Sequence, residues 1–330
     1  MTQLERELKF PSSFRPLSKE ELPAKLSNAE LVQHGLPPRP SPFKSRKASR
    51  LWLLAAQRFR SHIVPELTPN PRHYHGPNYG RRILPGSTGY TSDNWSGKVY
   101  TTGGPYGEAW ATWTVPLVQP APGAGPGTYY SSIWLGFGGF TDTPLLQAGT
   151  EQDVTVDAAG NITRNCYAWT EWFTNVAMQP EQTVPAQQFP INPGDSVALF
   201  LRWIGGASGL AAFMNLDSGI VASIPITKPN DGTVMTGDSV EWIVERPSQI
   251  IDGATTPLPL ADYGIVNISS AEVKTGYDSA TGQINFAGAD NADPISMNTG
   301  PGTSIISQEQ DESVVHCIFG ADLNTSNFEV

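Results

Sequence analysis

Beyond about Gly86, the chain is dominated by short alternating apolar segments separated by glycine, proline, asparagine and aspartate. Such alternation places successive side chains on opposite faces of a strand, so it predicts β-strands. Runs with helical period are few, and no repeat of fixed length is present. The sequence therefore predicts an all-β fold, an antiparallel β-sandwich of the jelly-roll, concanavalin-like kind. The predicted strands cover residues 108–115, 129–135, 166–173, 196–204, 209–215 and 239–245.

The segment before this region is predicted to be partly helical. Ser27 and Glu30 fit a capping box, which indicates a short helix near residues 27–34. Residues 37–42 read PPRPSP and should be extended and stiff. Residues 47–63 regain helical period and predict a basic amphipathic helix that docks on the rest of the chain. Its predicted apolar face consists of Leu51, Leu54, Ala55, Phe59 and Ile63.

Charge divides the chain in the same way. Residues 1–82 carry 15 Lys and Arg against six Asp and Glu, whereas residues 83–330 carry six against 25. Opposite charges attract near neutral pH, and the attraction weakens in acid as carboxylates are protonated. We therefore predict a basic leader and linker at residues 1–86, an acidic β-sandwich domain at 87–320 and a C-terminal tail at 321–330.

Several functional classes are disfavoured by composition. The longest apolar run, residues 51–56, is far shorter than a membrane span, so no membrane partner is expected. An acidic body of this kind is a poor ligand for nucleic acid. The first ten residues mix acids and bases and contain no apolar core of an export signal.

Cysteine and histidine are scarce in the acidic region. Cys166 and Cys317 allow either one disulfide, which we slightly favour, or two buried thiols. His316 is the single histidine after residue 83, and its predicted place on a terminal strand favours a structural role. Zinc sites built on two or three histidines are therefore excluded from this region, and we expect neither a metal nor another cofactor.

Strand parity brings carboxylates to an aromatic surface. Glu241, Ile243 and Glu245 share one face of their predicted strand. On the strand at 166–173, Glu171 shares a face with Trp169 and other aromatic residues. Aromatic rings with embedded carboxylates are typical of the floor of a groove, although both glutamates could equally be solubilising charges at strand edges.

Several segments of the sequence resemble the eqolisin family, the glutamic peptidases. The resemblance extends from about residue 92 to residue 264, with a looser continuation to Cys317. It implies a β-sandwich endopeptidase that acts in acid. The matching segments are NWSG at 94–97, TWTVP at 112–116, WLGFGG at 134–139, LLQAG at 145–149, AWTEWF at 168–173, PGD at 193–195, VEWIVERP at 240–247 and ADYG at 261–264.

The resemblance also implies roles for particular residues. Gln147 and Glu241 correspond to the catalytic dyad, in which an ionised Glu241 takes a proton from water and the Gln147 amide stabilises the oxyanion. Trp134 and Glu171 correspond to residues of the same site. We add Trp169 and Glu151 as supporting residues; Glu151 stands where an aspartate is usual. Activity should fall as Glu241 becomes protonated.

The basic leader then gains an expected role as a propeptide. It would cover the groove at neutral pH through opposite charge, act as an intramolecular inhibitor, and be removed in acid by self-cleavage near residues 79–91. By resemblance, the protein is expected to be secreted and to act on proteins or peptides, and we expect a monomer. Two alternatives stay open: a jelly-roll glycoside hydrolase with paired carboxylates, and a lectin-like binding module.

Overall fold

The structure is a computed structural model that describes residues 13–77, 80–83, 89–141, 144–177, 179–252, 254–278, 283–298, 305–309 and 314–320. Two α-helices, α1 (Asn28–Gln33) and α2 (Arg46–Arg58), lie in the leader. The strands in chain order are β1 (Ser61–Ile63), β2 (Thr68–Pro69), β3 (Arg82–Ile83), β4 (Tyr90–Ser92), β5 (Trp95–Tyr100), β6 (Glu108–Thr114), β7 (Gly127–Gly138), β8 (Leu145–Val156), β9 (Ile162–Phe173), β10 (Gln182–Thr183), β11 (Ser196–Gly205), β12 (Ser208–Asn215), β13 (Ile220–Thr227), β14 (Val240–Glu245), β15 (Ser248–Ile251), β16 (Ala254–Pro257), β17 (Ile265–Asp278), β18 (Gln283–Gly288), β19 (Asp293–Asn298), β20 (Ile305–Glu309) and β21 (Val315–Phe319).

Two large sheets form a sandwich, which confirms the predicted fold class. The back sheet has the strand order β1-β13-β12-β11-β6-β17-β18. The front sheet has the order β2-β10-β9-β8-β7-β14-β5-β19-β20-β21. Strand β17 joins them, since its first residues pair with β21 and later ones pair with β6. Among the described pairs of these sheets, β1–β13 and β4–β19 are parallel and the others are antiparallel.

The main core lies between the two sheets. On β14, Val240, Trp242 and Val244 face this core, as the alternating sequence predicted. Glu241 and Glu245 consequently lie on the outer face of the front sheet. That outer face carries a second, mostly aromatic cluster formed by Trp95, Val99, Trp134, Phe140, Leu145, Tyr167, Trp169, Phe173, Ile243 and Ile295.

The leader packs against the outer face of the back sheet. Helix α1 begins at the predicted capping box, in which Ser27 accepts from the Glu30 amide and Glu30 accepts from Ser27. On α2, Leu51 and Trp52 are buried against back-sheet residues that include Trp110 and Phe200. This anchor is apolar, so burial of hydrocarbon surface is its main source of stability.

The predicted extent of the second helix and one residue of its apolar face were wrong, whereas Leu51, Ala55 and Phe59 pack against the back sheet as predicted. Helix α2 ends at Arg58, and residues 61–63 form β1, because pairing with β13 supplies their backbone with hydrogen-bond partners. Leu54, which we had placed on the apolar face, is 38% exposed. Trp52 is buried instead, and its indole donates a 3.0 Å hydrogen bond to the carbonyl of Pro37.

Charge contributes little where the helix docks. Lys47 lies 3.7 Å from Asp290, and Arg58 lies 3.8 Å from Asp217, but all four side chains are about half exposed. Exposed pairs of this kind contribute roughly 0–1 kcal/mol each. At this contact, the expected attraction between a basic leader and an acidic body is therefore secondary to apolar packing.

The disulfide that we slightly favoured is not present. Cys166 and Cys317 are not bonded to each other, and both are buried in the main core. Burial raises the pKa of the Cys166 thiol to about 12, which keeps it protonated and inert. His316 lies on β21, as predicted, where its ring contacts the side chain of Asn267. Within the described residues, neither helix is long and apolar enough to cross a membrane.

The apolar anchor can be tested at two adjacent positions of α2. Replacing the buried Trp52 with alanine should lower the free energy of unfolding by about 3 kcal/mol, because it removes a large side chain from a packed site. Leu53→Ala is the matched control, since Leu53 is 48% exposed and should change stability by no more than about 0.5 kcal/mol. Urea denaturation followed by circular dichroism measures both. Equal effects of the two variants would contradict an anchor centred on Trp52.

Candidate active site

Strand register aligns the predicted dyad across the front sheet. Glu171 on β9 lies opposite Gln147 on β8, and Gln147 lies opposite Gly136 on β7. Gly136 in turn lies opposite Glu241 on β14. Residues that are directly opposite share a face, so the three polar side chains project from the same outer surface. Two strand spacings separate Gln147 from Glu241, about 10 Å between their Cα atoms. Both side chains are fully buried.

Gly136 lies between these two residues and allows close packing over β7. A Cβ atom at this position would lie 2.8 Å from the ring of Trp134 and 3.1 Å from a methyl group of Leu145. With hydrogen there instead, the Trp134 ring and Leu145 lie directly against the backbone between the two strands that carry Gln147 and Glu241. The glycine therefore allows the indole of Trp134 to form part of the floor of the site.

Two further rows complete the floor of the site. Trp169 and Trp134 lie two residues along from Glu171 and Gly136, and Gly149 on β8 lies between them. The indole of Trp134 donates a 2.7 Å hydrogen bond to Glu245. In the next row, Glu151 lies on β8 and Glu245 on β14. Every predicted site residue is thus on one surface.

The leader itself enters this site. The ring of His75 stacks on the indole of Trp169, with centroids 3.6 Å apart and planes 4° from parallel. The backbone N–H of His75 donates a 2.8 Å hydrogen bond to Glu171. The backbone carbonyl of His75 accepts a hydrogen bond from the carboxamide of Gln147. A peptide segment therefore already occupies the donor that we had assigned to an oxyanion.

Both ring nitrogens of His75 face carboxylates. Nε2 lies 2.8 Å from Glu181 and Nδ1 lies 3.1 Å from Glu245. Burial alone would lower the pKa of this imidazole, but the hydrogen bonds and charges of Glu181 and Glu245 raise it to about 10. His75 is consequently an imidazolium at neutral pH and donates from both nitrogens.

The surrounding carboxyl groups titrate differently from one another. Burial raises the pKa of Glu171 well above its usual range, and it also raises the pKa of Glu245 despite hydrogen bonds from His75, Trp134 and Asn94. Glu181 is buried as well, yet its hydrogen bond and charge interaction with His75 hold its pKa below the usual value. The ion pair between His75 and Glu181 is thus the firmest charge interaction of the site.

A second leader histidine lies beside this pair. His73 is 3.0 Å from the hydroxyl of Tyr167, which itself donates a 2.8 Å hydrogen bond to Glu181. Donor atoms of His73, Glu151 and Glu181 lie within 4.8 Å of one another, close enough to share a metal ion. The hydrogen bonds of His73 and Glu181 are, however, satisfied by protein groups. We therefore assign no metal to this cluster.

Sequence reasoning missed the leader's part of the site. The predicted residues Gln147, Glu241, Trp134, Glu171, Trp169 and Glu151 lie on one surface. His73, His75 and Glu181 were not anticipated, although the HYH segment just before the linker was a visible signal. Glu245 had been placed on the correct face but had not been assigned to the site.

The fold and this carboxylate-rich groove define a β-sandwich hydrolase of the glutamic-peptidase class. A sequence model of the Peptidase A4 family matches residues 93–318, more than half of the chain. The chain therefore belongs to that family, the eqolisins, and is a peptidase. This assignment disfavours the glycoside hydrolase and the lectin-like module.

Solved structures of eqolisins have the same fold. Scytalido-glutamic peptidase with a transition state analog inhibitor is similar to this chain with a TM-score of 0.52 and 20% identity, over 69% of this chain and 98% of the other. SCP-B, an eqolisin in complex with the tripeptide Ala-Ile-His, gives a TM-score of 0.51 with the same identity and coverage. No curated protein matches the chain in a sequence search.

The close packing at Gly136 can be tested by adding a Cβ atom. Gly136→Ala should abolish most peptidase activity and lower stability by about 1–3 kcal/mol, because its Cβ overlaps Trp134 at the centre of the site. Gly125→Ala is the control, since no atom lies within 4 Å of its added Cβ. Peptide hydrolysis and thermal unfolding measure the two effects. Full activity of Gly136→Ala would show that this close packing is not needed.

Proposed function

We propose that this peptidase hydrolyses peptide bonds with Glu241 as the general base and Gln147 as the oxyanion donor. The observation that carries the proposal is their alignment on either side of Gly136. Supporting it, the Gln147 carboxamide already donates to a peptide carbonyl, that of His75. A group that binds a ground-state carbonyl is well placed to stabilise the negative oxygen that forms on attack.

The proposed reaction uses one water molecule and no cofactor. Ionised Glu241 takes a proton from the water molecule as the water oxygen attacks the carbonyl carbon. The carbonyl oxygen becomes an oxyanion, which the Gln147 carboxamide stabilises by a hydrogen bond. The C–N bond then breaks, and Glu241 returns the proton to the leaving amine. Burial strengthens both interactions, since little bulk water competes for them.

We also propose that the leader is an intramolecular inhibitor and the chain a zymogen. Supporting this, the carbonyl of His75 accepts a hydrogen bond from Gln147 and its N–H donates one to Glu171. Its ring stacks on Trp169. A substrate cannot use the same groups while His75 is present. The cover differs from the one expected from overall charge: one histidine blocks the dyad, and the helix that anchors the leader lies on the other sheet.

The groups that face His75 are Glu181, Glu245, Glu171 and Glu151, together with His73. The raised pKa of His75 stabilises the covered state fully below its usual value of 6.5, and this contribution is lost as pH rises through about 10. The lowered pKa of Glu181 stabilises the covered state above the usual 4.5, and this contribution is lost as pH falls through that lowered pKa. Burial raises the pKa of Glu245, Glu171 and Glu151, so their protonation does not oppose the covered state, and acid would release the cover through Glu181.

Glu245 loses its charge earlier than Glu181, because burial raises its pKa. In acid, the imidazolium therefore keeps Glu181 as its last ionised partner, and release should follow protonation of that one group. Such a device fits a protein that is secreted as an inactive monomer into acidic surroundings, the setting we propose for this chain.

The dyad is tested by conservative exchanges in the acid-activated protein. Gln147→Glu and Glu241→Gln should each lower kcat by at least about 10²–10³, because each removes one part of the dyad while keeping side-chain size. Gln187→Glu, at an exposed position, makes the same change as Gln147→Glu and should leave activity intact. Digestion of a denatured protein at about pH 4 measures all three. Near-normal activity of either dyad variant would remove that residue from the mechanism.

The pH window of the cover is measured best in Glu241→Gln protein, which should be unable to cut itself. Hydrogen exchange at the amides of residues 73–76 should be slow, relative to the intrinsic rate, between about pH 5 and 8. Protection should fall below about pH 4.5 and again towards pH 10. In a His75→Gln background, protection should be weaker, and it should no longer fall at either the acidic or the alkaline end of this pH range. Protection that is constant from pH 3 to pH 11 would contradict the ion-pair latch.

A further inference from the structure

The leader segment from His73 to Pro77 lies in the site in the manner of a bound peptide. Tyr74 exchanges two backbone hydrogen bonds with Ser248, of 2.9 and 3.0 Å. The carbonyl of His73 accepts from the backbone of Glu181 at 3.3 Å, and the carbonyl of Pro77 accepts from Asn94 at 3.2 Å. Backbone pairing of this kind is how binding sites commonly hold extended peptides.

One carbonyl of this segment is singled out. The Gln147 carboxamide donates to the carbonyl of His75. In the proposed reaction, the carbonyl held by Gln147 is the one that water attacks. The bond on its C-terminal side joins His75 to Gly76, and Gly76 is buried in the site.

The side chain of His75 fixes this register. Its ring fills the space between Trp169 and the carboxylates of Glu181 and Glu245. A shift of the segment by one residue would place either Tyr74 or Gly76 there. Neither side chain can supply two N–H donors, so the ion pairs would be lost and two buried carboxylates would lack their cation.

We propose that the chain matures by cutting its own His75–Gly76 bond. The inference rests on the proposed Glu241–Gln147 mechanism and adds which bond is cut. Water adds to the carbonyl carbon of His75 as Glu241 takes its proton, and the tetrahedral oxyanion is held by Gln147. The C–N bond then breaks, the proton passes to the nitrogen of Gly76, and the products are a carboxyl group at His75 and an amine at Gly76.

The products explain how the site opens. A new carboxylate at His75 forms next to Gln147 and Glu171, in a site that also contains Glu241. Ionisation of the new carboxyl group is costly in this buried site and favourable in water, so the product binds less well than the uncut segment. The anchoring helix and β1 lie on the other sheet and are not altered by the cut. We therefore expect the fragment 1–75 to stay attached while its end leaves the site.

The experiment is incubation of the purified full chain at about pH 4, followed by intact-mass measurement and sequencing of the new ends. The expected result is two fragments, 1–75 and 76–330, formed at a rate independent of protein concentration. Tyr74→Phe, which keeps the backbone contacts, should be cut at the same bond. His75→Leu, which removes both ring donors, should be cut at this bond at least tenfold more slowly, and Glu241→Gln should stay intact.

The outcomes separate this proposal from the mechanism on which it rests. Ends at other positions, including the stretch 79–91 expected from sequence, would overturn the assigned bond and leave the peptidase mechanism standing if Glu241→Gln is inert. A chain that stays uncut but digests an added peptide would likewise overturn the assigned bond and leave the peptidase mechanism standing. A rate that rises with protein concentration would overturn the intramolecular cut. An uncut chain that also digests no added peptide would overturn both proposals.

Discussion

The buried ion pair between His75 and Glu181 is the interaction on which the leader-bound state of the front sheet depends. Five glutamates, Glu151, Glu171, Glu181, Glu241 and Glu245, are buried at the outer face of this sheet. Burying ionised carboxylates without a cation or hydrogen-bond donors is costly. One imidazolium that donates from both nitrogens offsets part of this cost, and the leader supplies it. With the leader in place, Glu181 and Glu245 have a cation between them, and without it both lose that partner.

Most of the fold could be predicted from sequence because its strands alternate cleanly. The predicted segment at 239–245 differs from β14 by one residue, and the predicted faces of Glu241 and Trp242 are those observed. The predicted strand at 129–135 was too short, since β7 continues through Gly138. Pairing on both sides, with β8 and β14, continues the strand through the glycines.

The part of the site that the sequence did not reveal depends on long-range contacts. Residues 73–75 read as a short polar stretch between prolines, and no periodicity indicates where such a stretch will lie. Its position follows from charge: a site with several buried carboxylates binds the one nearby segment that carries imidazoles. The extent of α2 was mispredicted for a related reason. Helical period continues past Arg58, but an available edge on β13 offers residues 61–63 backbone partners that a longer helix could not.

Separation of anchor and cover gives the leader two independent functions. The apolar contacts of α2 on the back sheet do not titrate, whereas the contacts of His75 on the front sheet do. Eleven residues separate the end of β1, at Ile63, from His75. A tether of that length keeps the histidine at an effective concentration of about millimolar near its site, so modest affinity suffices to hold the cover at neutral pH. Since the anchor persists in acid, loss of the ion pair can expose the dyad without dissociation of the leader. A cover that opens while its anchor remains can close again if the pH rises before the chain is cut, which makes exposure reversible and makes cleavage the step that commits the protein to activity.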